Sequence, residues 1–236
     1  MKTAFVLGNG ISRLQFDLGV LKKHGSIFGC NALYRDFIPD VLTAVDDRMI
    51  KEIIDAKIQK KCRFIIEDSQ ANQEFLLDSK IDSIVTNIPS RMDSGNLALL
   101  LAAQEATDVY MIGFDYISST PFHNNVYAGS MNYKSKEEPH VLKVTEESWY
   151  YRALIVLLRH PTVNFYRVNN NDYIPPIQEY NFQNISPTLF DEKFQAYRPD
   201  FDINPFTKNA NDRRTRRGVS GKVLQTREEK LNGRTN

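Results

Sequence analysis

An alternation running through the first 170 residues constrains this chain most. Short apolar runs take turns with stretches of helical spacing. Residues 3–7 form an apolar run that stops at Gly8-Asn9-Gly10, and further runs fall at 26–29, 41–45, 63–66, 83–86, 109–113 and 163–168. Between them, 12–23 carries Leu14, Leu18 and Leu21 on one face, and 47–57 carries Met49, Ile50, Ile53 and Ile54. Residues 94–104 and 149–158 are strongly helical in pattern. Strand runs that are apolar throughout belong to strands buried on both faces. The pattern predicts an α/β fold, a Rossmann-like, mostly parallel sheet with helices on both faces.

The alternation ends at Val168. Residues 169–206 hold Asn169-Asn170-Asn171, Pro175-Pro176, Pro187, Pro199 and Pro205 among scattered Tyr and Phe, without periodicity. This segment is expected to be an extended arm lying on the domain or on a neighbour, too aromatic for a plain solvated linker. From Lys208 onward, nine Lys/Arg face Asp212, Glu228 and Glu229, a tail near +6 on a remainder near −5. The formal charge of +1 is thus a cancellation, and asymmetry of this kind marks an interaction tail. The expected organisation is a domain over 1–168, an arm over 169–206 and a basic tail over 207–236. Cys30 and Cys62 are too few for a disulfide scaffold or a four-ligand zinc site, and fit a reducing, cytoplasmic setting. No apolar run approaches the ~18 residues of a membrane span.

Chemistry is expected where strands end. In an open α/β sheet, ligands gather at the carboxyl ends of strands. Five such ends carry polar residues: Gly8-Asn9-Gly10-Ile11-Ser12, Cys30-Asn31, Asp46-Asp47, Asn87, and Gly113-Phe114-Asp115-Tyr116. Glycines at the first of these would let backbone approach a phosphate held by free amides of the next helix; the alternative is a tight turn that binds nothing. Asp46 and Asp47 could hold Mg²⁺ through oxygen ligands, or Asp47 could cap the helix that follows.

In this order and spacing, the first, second and last of these ends, with Tyr34, Ser94-Gly95 and Tyr127-Ala128, resemble the single-Rossmann-domain bacterial CMP-sialic-acid-dependent sialyltransferases. They also resemble the wider set of motility accessory factors and 6-hydroxymethylpterin pyrophosphokinase-like proteins. The resemblance spans about residues 2–168. It implies a glycosyltransferase that takes a nucleotide-activated sugar, a CMP-sugar first, and passes the sugar to a hydroxyl acceptor. Nucleotide binding would fall to Gly8, Asn9, Gly10, Ser12, Asn31, Ser94 and Gly95. Tyr116 and Tyr127 would stabilise the departing phosphate, and His140 would be the general base, with His123 as its rival. Neutral phenols can stabilise such a phosphate without a metal, and a histidine titrates where a base is useful. Residues 114–147 would form a lid over the substrate.

Two departures stand out. Asp46-Asp47 replaces the family's Asn-Pro, which shifts the site towards the pyrophosphokinase-like set and its Mg²⁺. Pro139, not glycine, precedes His140. The expected partners are a nucleotide sugar and a hydroxyl acceptor, with self-association into a homo-oligomer; no cofactor is required unless Asp46 and Asp47 bind Mg²⁺. The competing expectation is a catalytically idle structural protein, such as one of a virus particle, docked through its arm and tail into an assembly or onto an acidic surface.

Overall fold

The computed structural model describes residues 2–78, 80–86, 92–116, 124–136, 143–170, 175 and 177–203, leaving aside the side chains of 71 and 143–148. Eight strands form one sheet: β1 (Thr3–Leu7), β2 (Ser26–Cys30), β3 (Val41–Ala44), β4 (Arg63–Glu67), β5 (Ile81–Ile84), β6 (Asp108–Ile112), β7 (Asn164–Val168) and β8 (Phe182–Ile185). Their order is β5-β4-β3-β2-β1-β6-β7-β8, and every pair is parallel. The chain builds outward from β1 in one direction, then returns to β1 and builds in the other. The reversal lies between β1 and β6, where Leu7 pairs with Ile112.

Side chains that alternate along each strand feed two cores, one per face. Ala4, Val6, Val109, Met111 and Phe165 point to the face covered by α3 (Ser94–Glu105) and α4 (Lys143–Arg159). Phe5, Leu7, Phe64, Tyr110 and Ile112 point to the other, covered by α1 (Leu18–Leu21), α2 (Asp47–Asp55) and α5 (Pro187–Phe194). Most of α3 is buried, which is why its sequence is apolar on nearly every side.

Three sequence expectations are corrected. The continuous helix over 12–23 is instead a 3₁₀ turn, Ile11–Gln15, followed by the single turn of α1. Phe16 leaves the helical path to bridge with Tyr197, and the Asp17 carboxylate accepts the amides of Gly19 and Val20 to start again. The second correction concerns 169–206, which is not an arm along its described length, nor is Val168 the domain's end. β8 extends the sheet, and α5 buries Phe190 and Phe194 edge-on against Phe5, with centroids 6.2 and 5.1 Å away. Each such ring contributes on the order of 1.5–3 kcal/mol on burial, enough to recruit a Pro-punctuated segment into the core. The Ala196 carbonyl and Arg198 amide then tie the chain back to Asp17 and Gln15. Lastly, the N-cap of α2 is Asp46, not Asp47, and its side chain makes no capping hydrogen bond. No helix among the described residues is long and apolar enough to cross a membrane.

Candidate functional site

The reversal point of the sheet opens into a cleft of about 410 Å³, a size suited to a nucleotide-sized ligand. Gly8, Asn9 and Gly10 enter it from β1, Asn31 from β2, Asp46 from β3, Ser94 and Gly95 from α3, and Phe114, Asp115 and Tyr116 from β6. A second cavity of about 420 Å³ adjoins it, lined by Asn31, Asp46, Asp47, Arg48, Met49, Asn132 and Tyr133. Asn31 and Asp46 belong to both.

The glycine turn after β1 does something other than present amides to a phosphate. The Gly8 amide donates to the Ile112 carbonyl and the Gly10 amide to Gly113, at 2.8 and 3.0 Å. The Ile11 amide donates to Asn124 Oδ1 at 2.9 Å, and the Ser12 amide and hydroxyl both donate to the Asp115 carboxylate. A Cβ on Gly8 would sit 2.5 Å from the Gly113 carbonyl oxygen, and one on Gly10 would sit 2.5 Å from Asp115 Oδ2. These glycines let the β1 and β6 loops close on each other, with Gly113 itself at φ +75°. Buried Arg167 of β7 braces the same crossing, donating to the carbonyls of Phe114 and Asp115 at 2.7 and 3.1 Å.

The start of α3 is arranged differently. Asp93 caps the helix through the Asn96 amide at 3.0 Å, which leaves the first two amides, those of Ser94 and Gly95, without intrahelical partners. Thr43 donates to the Ser94 carbonyl at 2.7 Å, and the Val45 amide donates to the Ser94 hydroxyl at 3.1 Å, fixing this helix end against β3. A Cβ on Gly95 would meet Asp93 at 3.4 Å and Phe114 at 3.6 Å, ordinary contacts. Burial raises the Asp93 carboxyl above its usual range, opposed by its bonds from Asn96 and by Arg152 at 3.6 Å. Cys30 also lines the cleft, but burial pushes its thiol up to about 12, so it stays protonated and is no nucleophile.

The two tyrosines singled out by sequence part company. Tyr116 lines the cleft at φ +60°, its ring 5.4 Å from the Arg167 guanidinium carbon. Tyr127 turns inward: its hydroxyl donates to Asp36 at 2.7 Å and accepts from buried Arg13 at 3.0 Å. Burial, first of all, raises its pKa. The phenol that comes close to Asn9 and β2 is Tyr133, which no motif picked out. Its hydroxyl accepts from Asn9 Nδ2 and the Ala32 amide, each at 3.4 Å. Only contacts about a hundred residues apart in the chain reveal it. Two acceptor atoms nearby, Asn9 Oδ1 and Asn31 Oδ1, are buried without a hydrogen-bond partner among the described residues, and Asn31 holds a left-handed φ of +53°.

The described middle of the expected lid, 124–136, is fastened to the body. Arg35 donates to Ser130 Oγ and the Met131 carbonyl at 2.8 and 3.0 Å, while Asn132 donates to Glu52 at 2.6 Å. The Val126 amide donates to the Asn9 carbonyl at 2.9 Å. Burial works to raise Glu52, but bonds from Tyr34, Arg35 and Asn132 outweigh it and hold the carboxyl below its usual value. His140, His123 and Asn87 lie outside the described residues. Asp46 and Asp47 have no third ligand beside them: among the described residues, no three His, Cys, Asp or Glu side chains meet in a metal-binding group.

No family model matches this chain, and no curated protein matches its sequence. Solved structures do. A sialyltransferase CST-II with trisaccharide acceptor and CMP matches at 16% identity, over 80% of this chain and 87% of that one, with a TM-score of 0.45. The alpha-2,3/8-sialyltransferase CstII, as a point mutant, matches at 17% identity over 80% and 88%, with a TM-score of 0.43. CstII from Campylobacter jejuni, in complex with cytidine-5'-monophosphate, matches at 17% identity over 80% and 86%, with a TM-score of 0.42. Likeness at this level leaves function to be argued from the cleft.

Proposed function

We propose that the cleft between β1 and β6 binds a nucleotide-activated sugar, a CMP-sugar first, and that the protein transfers the sugar to a hydroxyl acceptor. The observation that carries this is the start of α3. Two helix amides without intrahelical partners and a glycine with room at its Cβ position face a cleft that also gathers Asn9, Asn31 and Tyr116. A phosphate placed at Ser94 and Gly95 would receive two N–H groups and the positive end of a twelve-residue helix. Asn9 and Asn31 would order the nucleotide and sugar around it, and Tyr116 would face the departing phosphate. Ser12 and Tyr127 are committed elsewhere and act by holding the walls. The acceptor hydroxyl would lose its proton to a base, for which His140 is the candidate. Its oxygen would bond to the anomeric carbon as the bond from that carbon to the phosphate oxygen breaks, releasing the nucleotide.

The assembly reading drew its support from a free arm, and the strand and helix over 182–194 remove that support for those residues. Isothermal titration with CMP, UDP and their sugar conjugates tests the enzyme reading. Saturable binding of a CMP compound, weakened by Asn31→Ala, is expected. Folded protein that binds none of them at millimolar concentration would overturn it.

A further inference from the structure

We propose that Arg152 is the cation that holds the ligand's phosphate at the start of α3, its guanidinium bridging the Asp93 carboxylate and the phosphate. This rests on the nucleotide-sugar reading above and assigns its phosphate site a residue that no sequence motif marks.

The charges at this helix end do not favour an anion by themselves. A helix start is worth about half a positive charge. Asp93, the residue that caps α3, brings a carboxylate to the same place, where its Oδ1 accepts the Asn96 amide at 3.0 Å. Two more carboxylates, Asp46 and Asp115, line the cleft. Among the described residues of that lining, Arg152 is the single cation. A phosphate at Ser94 and Gly95 therefore needs a compensating charge, and Arg152 is in place to supply it.

Its position is fixed, and its donors are not spent. The Asn96 side-chain amide donates to the Trp149 carbonyl at 2.8 Å, which fastens the turn of α4 that carries Arg152 onto the first turn of α3. Ala153, next in the chain, is fully buried in the core on that face of the sheet. Asp93 spans the remaining gap: its Oδ2 lies 3.6 Å from Arg152 Nη1, and its Oδ1 lies 3.4 Å from where a Gly95 Cβ would be. The guanidinium thus stands one carboxylate away from the space assigned to the phosphate. At 3.6 Å the contact is an ion pair, too long for a hydrogen bond. Arg152 Nε is buried with no hydrogen-bond partner among the described residues, a cost that an arriving phosphate oxygen would relieve. Arg35 and Arg167, by contrast, are spent on protein groups, Arg35 on Glu52 and Ser130, Arg167 on the Phe114 and Asp115 carbonyls. A planar guanidinium fork can face a carboxylate with one edge and a phosphate oxygen with another.

Cytidine and CMP differ by the phosphate alone, so the ratio of their affinities isolates it. In wild-type protein at low salt, CMP is expected to bind about tenfold tighter than cytidine, an advantage that shrinks as salt rises. In Arg152→Gln the advantage should fall to within about twofold while cytidine binds as before. Arg152→Lys, which keeps the charge and loses the fork, should fall between the two. Thermal unfolding checks that both variants fold. A wild-type protein that binds cytidine as tightly as CMP, or whose CMP advantage ignores salt, would overturn the inference whatever the variants do. So would a CMP advantage that survives in Arg152→Gln. Equal losses of cytidine and CMP in that variant would also overturn it, by making Arg152 a support of the cleft wall. Failure of both ligands to bind wild-type protein would overturn the CMP-sugar reading and this inference with it.

Discussion

Two glycine-bearing turns meet in the cleft and use glycine for opposite ends. After β1, Gly8 and Gly10 lie against the β6 loop so closely that a Cβ on either would sit 2.5 Å from an oxygen. At the head of α3, Gly95 has only ordinary contacts around its missing Cβ. The first turn is closed by protein, its amides donating to Ile112, Gly113, Asn124 and Asp115. The second is capped on one side and open on the other. A glycine-rich turn after a parallel strand is therefore not by itself a phosphate site. What separates the cases is whether the amides are already taken and whether space remains where a side chain would be.

The sharpest way to break this contrast is to add a methyl group to the closed turn. Gly10→Ala should destabilise the fold by about 3 kcal/mol, because both the Asp115 carboxylate and the Gly113 carbonyl must move. Gly8→Ala should cost a similar amount, since its obstacle is backbone on the neighbouring loop. Urea denaturation monitored by circular dichroism reads both. A loss under 1 kcal/mol would mean that the crossing is looser than its contacts imply.

The next largest effects belong to the pins that hold 124–136 against the body. Glu52→Gln removes the charge that answers Arg35 and should cost about 2 kcal/mol. The same clamp carries a pH signature. The Glu52 carboxyl is held below its unfolded value, so its contribution is full above the unfolded carboxylate range, about pH 4.3, and is lost as pH falls through the folded value. Amide exchange in 124–136 should therefore accelerate on acidification ahead of the core strands, and this early loss should vanish in Glu52→Gln. Tyr127→Phe comes after it. Deleting a hydroxyl between Asp36 and Arg13 should cost about 1–2 kcal/mol while leaving CMP affinity unchanged. A large loss of CMP affinity in that variant would return Tyr127 to the site.

These contrasts also explain what could be read from the chain alone. The central strands were legible because β1, β2, β3, β4 and β6 are apolar runs buried on both faces, and β1 was placed to the residue. β5, half-exposed at the sheet edge, lies two residues before its expected place. The lining of the cleft was legible too, because the ends of parallel strands share one edge of the sheet and bring Asn9, Asn31, Asp46 and Asp115 together there. The split of the 12–23 helix was not, since it depends on Phe16 pairing with Tyr197, a contact 181 positions along the chain. β8 and α5 were hidden by prolines and asparagines that read as irregular, although Pro187 sits in the first turn of α5, where its missing N–H costs nothing. Tyr133 was invisible for a similar reason. It reaches Asn9 and Ala32 only because Arg35 and Glu52 pin its segment in place.

The smallest expected change in stability tests the open turn, and it bears most directly on function. Gly95 lies within the first turn of α3 with no positive φ to protect, so alanine there should leave stability unchanged or raise it by about 0.5 kcal/mol. If the space at Gly95 belongs to a ligand, the same methyl group should weaken CMP binding tenfold or more while the urea midpoint holds. If Gly95→Ala binds CMP as wild type does, the phosphate sits elsewhere in the cleft, and the difference between the two turns is one of packing only. The paired measurement matters because Gly10→Ala would also lose binding, through unfolding. Only a variant that keeps its fold and loses its ligand distinguishes a glycine kept for a phosphate from one kept for the chain beside it.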